Sequence, residues 1–568
     1  MTPAAFPTSD AIAASALKLI VENPFFKIGA ARIRGNEYRV FENAPRNLVG
    51  VFALGVPHGE KDFIYYEGEV WTHARLWSET RRFATALSEG LGVKKGDRVA
   101  IAMRNFPEWC AAYMAIIALG AVVVPLNAWW KTEELRYALK DCGAKIVIVD
   151  DKRLDYVREF KKALGLTLIL VRAKGEGADY AYADLVAKSG PADLSTVDID
   201  PDDDFSIYYT SGSTGNPKGV ILTHRGAITT LMSWTLIMAA ITDANGGKPL
   251  HGDNPGVLLG IPLFHVTGSH AIFMMSWILG RRMAMVYRWD ARAAVDLINR
   301  HRLTNFVGVP NQSFELIEAA GSTPMPTLLD IGSGGAKRPP EHVFRLKEKF
   351  PNANPSSGYG LTETNASGCV ISLSDYQKRP DSTGRPLPPC CDIKIVGEHG
   401  DCKTGEVGEI WIRTAANFRA YLNLPEDTAK ALTPDGWFKS GDLGRIDEEG
   451  FVYIVDRLKD LIIRGGENIS CLEVEARAYQ HPAVAQALAF SVPDDALGER
   501  VGLVVFPKAN ARFDPQELRD FMGRDLATFK LPERIWTSPQ PLPRLGTEKF
   551  DKQLIRRIAL QNAPDWRL

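Results

Sequence analysis

The segment "YYTSGSTGNPKGVILTH", residues 208–224, sets Thr210, Ser211, Gly212, Ser213, Thr214 and Gly215 ahead of Lys218. Small residues let backbone N–H groups approach an anion, hydroxyls donate to phosphate oxygens, and a lysine adds charge. The outline is that of a phosphate-binding loop. It is not a Walker loop, which needs Gly directly before the Lys and a hydroxyl after it; here Pro217 precedes Lys218 and Gly219 follows. On composition alone the loop reads equally as a flexible Gly/Ser hairpin.

Six further segments carry groups suited to the same chemistry. "PLFHVTG" (262–268) puts His265 after an apolar run, and "GSGGA" (332–336) offers Gly334, Gly335 and Ala336 as backbone against which a flat ring can lie. "GYGLTET" (358–364) contains Tyr359, Gly360, Thr362 and Glu363, and "GWFKSGDLG" (436–444) contains Asp442. "DRLKDLIIRGGENIS" (456–470) holds Arg457, Lys459, Gly465 and Gly466, and "PRLGTEKFDK" (543–552) holds Lys549. Singly, each has an ordinary reading as a turn, a packed histidine or a solvated face. Together, and in this order, the seven segments resemble the motifs of the acyl-adenylate-forming superfamily, which includes acyl-CoA synthetases, aryl-CoA ligases, peptide-synthetase adenylation domains and firefly luciferase.

The resemblance implies a reaction in two halves. A carboxylate attacks the α-phosphate of ATP, releasing pyrophosphate and leaving an acyl-adenylate; a thiol, usually that of coenzyme A, then displaces AMP. It also implies roles. Thr210 through Gly215 and Lys218 would grip the β- and γ-phosphates, Tyr359 would stack on adenine beside Gly334, Gly335, Ala336 and Gly360, and Asp442 with Arg457 would bind the ribose. Thr362 would donate to the α-phosphate, and Glu363, with Thr210, would hold Mg²⁺. His265 would line the acyl site. Lys459 would be the pivot of a mobile C-terminal domain, Gly465 and Gly466 would pass the pantetheine arm, and Lys549 would bridge carboxylate and α-phosphate. Two positions depart from the usual pattern. Ser213 stands where many relatives have Thr, and Glu548 stands where the family usually has Gly before the catalytic Lys. Glu resists a backbone turn that Gly permits, and an adjacent carboxylate can compete for the ammonium. Lys552 is the alternative catalyst and fits the spacing worse.

The elements that must position these residues show in the apolar patterning. Residues 72–90 have the spacing of an amphipathic helix with Leu76, Phe83, Ala84 and Leu87 on one face. Continuous apolar runs at 98–102, 121–125, 144–150, 255–265, 305–310 and 328–335 alternate with helical stretches, the pattern of a parallel α/β sheet covered on both faces. After residue 383, short strands broken by Gly and charged turns predict a small antiparallel barrel or sheet. An α+β module follows from 470. The expected architecture is a large N-terminal domain (1–456) of two α/β subdomains plus a small β-barrel, a hinge at 457–460, and a mobile α+β C-terminal domain (461–568).

The 67 Lys and Arg balance 68 Asp and Glu, which gives no electrostatic case for nucleic acid or an anionic membrane. The seven cysteines include no C-x-x-C pair, so neither zinc nor a disulfide framework is predicted, and a reducing cytoplasm is the expected compartment. The apolar stretches 226–241 and 271–280 are shorter than the roughly 20 residues that span a bilayer; they read as buried helices, with peripheral membrane contact left open. These stretches and "VGVPNQSFEL" are rich in Met, Trp, Ile, Leu and Phe, which suits an apolar medium- or long-chain fatty acid. An aryl or steroid acid, transfer to a carrier protein, and a non-catalytic nucleotide-binding regulator are the competing readings.

Overall fold

A computed structural model describes residues 7–173, 176–210, 216–509, 511–546 and 548–567. Ser211, Gly212, Ser213, Thr214 and Gly215 lie outside the described residues.

The apolar runs form the expected parallel strands. Arg98–Ala102 lies between Val122–Pro125 and Ile146–Val149, with Thr167–Leu170 beyond, all in parallel register. Helix Pro107–Ala118 covers them and is itself buried along its whole length, so no polar face interrupts its sequence. The same eight-stranded sheet takes in Asp204–Thr210 and Lys218–Thr223, the antiparallel pair that flanks the Gly/Ser loop and sets Thr210 opposite Lys218.

A second sheet of nine strands contains Gly256–Leu259 in its interior. Arg282–Met285 pairs on one side of it and Asn305–Gly308 on the other, all parallel, and Asp330–Gly334 and Asn354–Gly360 continue the second side. The strand order reverses at Gly256–Leu259, and ligands bind at such switch points, beyond the carboxyl ends of the strands.

The unit expected as a small barrel is a five-stranded antiparallel sheet, whose pairing runs from Gly400–Asp401 at one edge to Val452–Arg457 at the other. Residues beyond 461 build a further sheet from Ile462–Arg464, Glu467–Ile469, Val484–Asp494, Gly498–Pro507 and Arg534–Thr537. Helices Cys471–Tyr479 and Pro515–Met522 close it over a core of its own that includes Val474, Leu503, Leu518 and Ile535.

The apolar stretch 226–241 belongs to a longer helix, His224–Ala244, whose first turn is capped by the Thr223 side chain accepting from the Gly226 N–H. At 21 residues it is long and apolar enough to cross a bilayer, the single such helix among the described residues. Its Ala227, Ile228, Leu231, Met232, Leu236 and Ala240 are buried in the main core, which makes it a core helix. Residues 267–274 wind as a π-helix before the α-helix Met275–Leu279, an irregularity the sequence pattern does not reveal and one common at functional sites.

Candidate active site

The carboxyl ends of neighbouring strands in the second sheet converge. His265 follows Gly256–Leu259, Gly335 and Ala336 follow Asp330–Gly334, and Tyr359 and Gly360 end Asn354–Gly360, with Thr362 and Glu363 in the short helical turn after it. Gly335 has φ +77°, and a Cβ there would stand 3.1 Å from Lys549 Cε and 3.4 Å from its Nζ. Lys549 therefore lies along bare backbone, a position a larger residue would crowd. Opposite, Thr267 Cγ2 is 3.6 Å from where a Gly334 Cβ would be.

Asp442 and Arg457 face each other directly across the ladder between Phe438–Ile446 and Val452–Arg457. Arg457 Nε lies 3.0 Å from Asp442 Oδ1, and the Tyr359 hydroxyl donates to Oδ2 at 2.8 Å. The Asp442 side chain is 6% exposed and that of Arg457 50%, so an acceptor stands at the wall and a cation at the rim. Burial pushes the Tyr359 phenol up, and the Asp442 charge adds to it. Burial lowers Lys549 to about 8; the Arg457 cation adds to this and Asp442 opposes it. Burial, with the nearby Lys549 charge, brings His265 down to about 3. The imidazole is thus neutral at physiological pH, and its buried Nε2 has no hydrogen-bond partner among the described residues, a group a ligand can satisfy.

Tyr421 organises the surroundings of Lys218 and Glu363. It belongs to the two-residue strand Ala420–Tyr421, which adds to the edge of the first sheet opposite Val220 and Ile221. Its hydroxyl donates to Glu363 Oε1 at 2.8 Å, and the Lys218 Nζ lies 5.2 Å from its ring centroid. Lys218 also pairs with Asp427 at 2.6 Å. Burial raises the Glu363 carboxyl, and the Tyr421 bond opposes that rise. Among the described residues no cluster of three or more His, Cys, Asp or Glu could hold a metal. Glu363 as a single carboxylate fits a magnesium ion that takes its other ligands from phosphate and water. Thr210 stands opposite Lys218 across the strand pair.

A buried chain braces these loops. Tyr208 donates to Ser269 Oγ at 2.7 Å, Ser269 Oγ meets His270 Nδ1 at 2.9 Å, and His270 Nε2 meets Asn365 Oδ1 at 3.3 Å. It ties the strand before the Gly/Ser loop, the π-helical turn and the turn after Glu363 together. Tyr421, Asp427, His270 and Asn365 escape a sequence reading. A two-residue strand has no periodicity, and an acid in the first turn after Pro425 reads as a helix-dipole residue.

The C-terminal segment resolves the departure at 548. Glu548 does adopt the left-handed conformation, φ +63°, which costs a non-glycine residue about 1 kcal/mol. Its carboxylate lies 3.5 Å from Arg544 Nη1, and the charges that bear on Lys549 are those of Arg457 and Asp442. Lys552 begins the helix Lys552–Leu560 and pairs with Asp460 at 3.0 Å. Lys459 is exposed, as are Gly465 and Gly466, which form the turn of the hairpin pairing Arg464 with Glu467. The structure thus gathers His265, Gly334, Gly335, Tyr359, Asp442, Arg457 and Lys549 at one point and leaves Lys459, Gly465 and Gly466 facing solvent.

Known proteins resemble this chain over most of its length. The AMP-binding enzyme family matches residues 55–422, and its C-terminal domain matches residues 473–549. The chain is 31% identical over 491 residues to the long-chain-fatty-acid–CoA ligase FadD13 of Mycobacterium tuberculosis, covering 85% of this chain and 92% of that protein. It is 28% identical to 4-coumarate–CoA ligase 3 of Oryza sativa, covering 88% and 89%. The o-succinylbenzoate CoA synthetase of Bacillus subtilis, solved with its acyl-adenylate intermediate, superposes with a TM-score of 0.76 at 28% identity, over 91% of this chain and 99% of that one. The chain belongs to the AMP-binding enzyme family and is an AMP-forming acid–thiol ligase of the acyl-adenylate-forming superfamily.

Proposed function

We propose that this ligase activates an apolar medium- or long-chain fatty acid with ATP and passes it to coenzyme A in the cytoplasm. The observation that carries this reading is Lys549 lying along Gly335 within reach of the Asp442 and Arg457 charges. In the first half-reaction a carboxylate oxygen attacks the α-phosphorus, the bond to the bridging oxygen breaks and pyrophosphate leaves. The Lys549 ammonium steadies charge between carboxylate and α-phosphate, and Thr362 donates to that phosphate. Tyr359, Gly334, Gly335, Ala336 and Gly360 hold adenine, and Asp442 with Arg457 takes the ribose hydroxyls. Thr210 to Gly215 and Lys218 bind the pyrophosphate end, for which Lys218 exchanges Asp427. Glu363 and Thr210 would hold a magnesium ion, which would supply charge neutralisation at the phosphates. His265, neutral and with an unsatisfied Nε2, positions the carboxylate.

For the second half the C-terminal domain, 461–568, turns on the 457–460 hinge at Lys459 against the body, 1–456. Lys549 leaves and the Gly465–Gly466 turn enters beside the pantetheine arm. The substrate class is supported by apolar side chains left half-buried on the 224–244 helix, Trp234, Ile237 and Met238. Each buried methylene of a chain adds about 0.8 kcal/mol there. An aryl acid is the second reading, favoured by the 4-coumarate relative and by the 31% identical feruloyl-CoA synthase from an Amycolatopsis species. The test is pyrophosphate release from ATP with hexanoate, dodecanoate, palmitate, benzoate and 4-coumarate, followed by thioester formation on adding coenzyme A. Rates that rise from hexanoate to dodecanoate or palmitate are expected. Release only with the two aryl acids would replace the fatty-acid reading, and release with none of the five would end both.

A further inference from the structure

We propose that Glu548, Arg544 and Glu315 form a latch between the lysine turn and the body of the protein, and that its closure positions Lys549 for adenylation. The inference rests on the reading of Lys549 given above. The chain turns back on itself here: Arg544 and Phe550 are bridged antiparallel, the Leu545 N–H donates to the Lys549 carbonyl at 2.8 Å and the Glu548 N–H to the Leu545 carbonyl at 2.9 Å. Lys549 stands at the base of this turn, so its reach to Gly335 depends on how the turn is seated.

Side chains do the seating. The Arg544 guanidinium lies between two carboxylates, Glu548 on its own turn at 3.5 Å and Glu315 on the body, with which it makes a short ion pair. Glu315 sits on helix Pro310–Ala320, directly after the Asn305–Gly308 strand of the site sheet, and its other oxygen accepts from Trp289 Nε1 at 2.7 Å. Trp289 in turn packs on Phe306 of that strand. At the tip, a Cβ on Gly546 would overlap the Trp129 indole, whose face carries Arg104 at 3.3 Å. The Arg544 and Glu548 side chains are 16% and 15% exposed, sheltered enough that water screens the pair less than at an open surface. Burial raises the Glu548 carboxyl and the Arg544 charge opposes that rise. The strained Glu548 backbone thus has a compensating partner: the departure from glycine brings a carboxylate that fixes Arg544 toward Glu315.

Such a latch acts through Lys549 and must part when the C-terminal domain turns, so it favours one half-reaction only. Adenylation is read by acid-dependent ATP–pyrophosphate exchange with the most active acid of the five above, and thioester formation by supplying the matching acyl-adenylate with coenzyme A. Glu315→Gln keeps the shape and removes the charge. It is expected to lower the maximal exchange rate roughly five- to tenfold, the loss of a sheltered ion pair, with KM for ATP and thioester formation from acyl-adenylate unchanged. Glu315→Asp restores most of the rate, and adding Glu548→Gly to Glu315→Gln produces less than the product of the two single effects, because one chain of pairs is broken. An unchanged exchange rate, or equal slowing of both halves in Glu315→Gln, overturns the latch. Lys549→Ala with exchange intact overturns the role of Lys549 itself, a separate outcome.

Discussion

Asp442 is held by the antiparallel ladder that pairs it with Arg457, whereas Lys549 stands on a turn closed by two backbone hydrogen bonds and seated by ion pairs. Both act on the space beside Gly335. Moving Asp442 would shift the register of two strands, at the cost of a row of hydrogen bonds. Moving Lys549 breaks a few side-chain contacts. The difference matches a two-step reaction in which the nucleotide stays bound throughout while one cation is needed for the first step alone.

The sharpest way to break the comparison is Lys549→Ala. Without the cation, pyrophosphate exchange should fall by roughly 10²–10³, the usual cost of removing one preorganised charge-stabilising group. Thioester formation from supplied acyl-adenylate should persist. Exchange within tenfold of the unmodified enzyme would show that the turn is a bystander. Asp442→Ala tests the other side. It leaves the Tyr359 hydroxyl and the Arg457 guanidinium without their acceptor, and KM for ATP should rise roughly 30-fold, about 2 kcal/mol. Both half-reactions should suffer, because AMP occupies the site in each. A loss confined to adenylation would contradict the permanent role given to this corner.

The same contrast explains what the sequence made legible. The parallel strands were readable because burial on both faces writes itself as an unbroken apolar run, as in "VVVP" at 122–125. Helix ends were less so. The 226–241 stretch gained residues at both ends, with Thr223 as a side-chain cap and no breaker before Asn245. The residues on the ladder and at the strand ends stand out only through their motifs, since "GSGGA" or "SGDLG" alone is an ordinary turn. The groups that seat Lys549 were not readable. Arg544 and Glu315 are 229 positions apart, and only the packed fold sets them together. Glu548 was recognisable as an anomaly, but its compensation was not, because that depends on a helix in another part of the chain.

The smallest expected effect concerns the charge on Lys549. Burial and the Arg457 guanidinium lower it to about 8, so the ammonium is present below that pH and lost above it. Adenylation should therefore be level to about pH 7, fall to half near pH 8, and reach roughly a tenth of the plateau one unit higher. His265, at about 3, stays neutral over this range and adds no limb of its own. The Arg457 guanidinium also faces the lysine; burial acts to lower it, but the Asp442 and Asp460 carboxylates hold it above its ordinary value, so it keeps its charge between pH 6 and 9.5. Pyrophosphate exchange measured across that range at constant ionic strength reads the limb. Lys549→Arg, which stays charged throughout, should lower the rate but flatten the profile. A profile flat to pH 9.5 in the unmodified enzyme, or the same falling limb in Lys549→Arg, would remove the titrating lysine from the adenylation step and leave the ladder-held corner as the only charge on which that step depends.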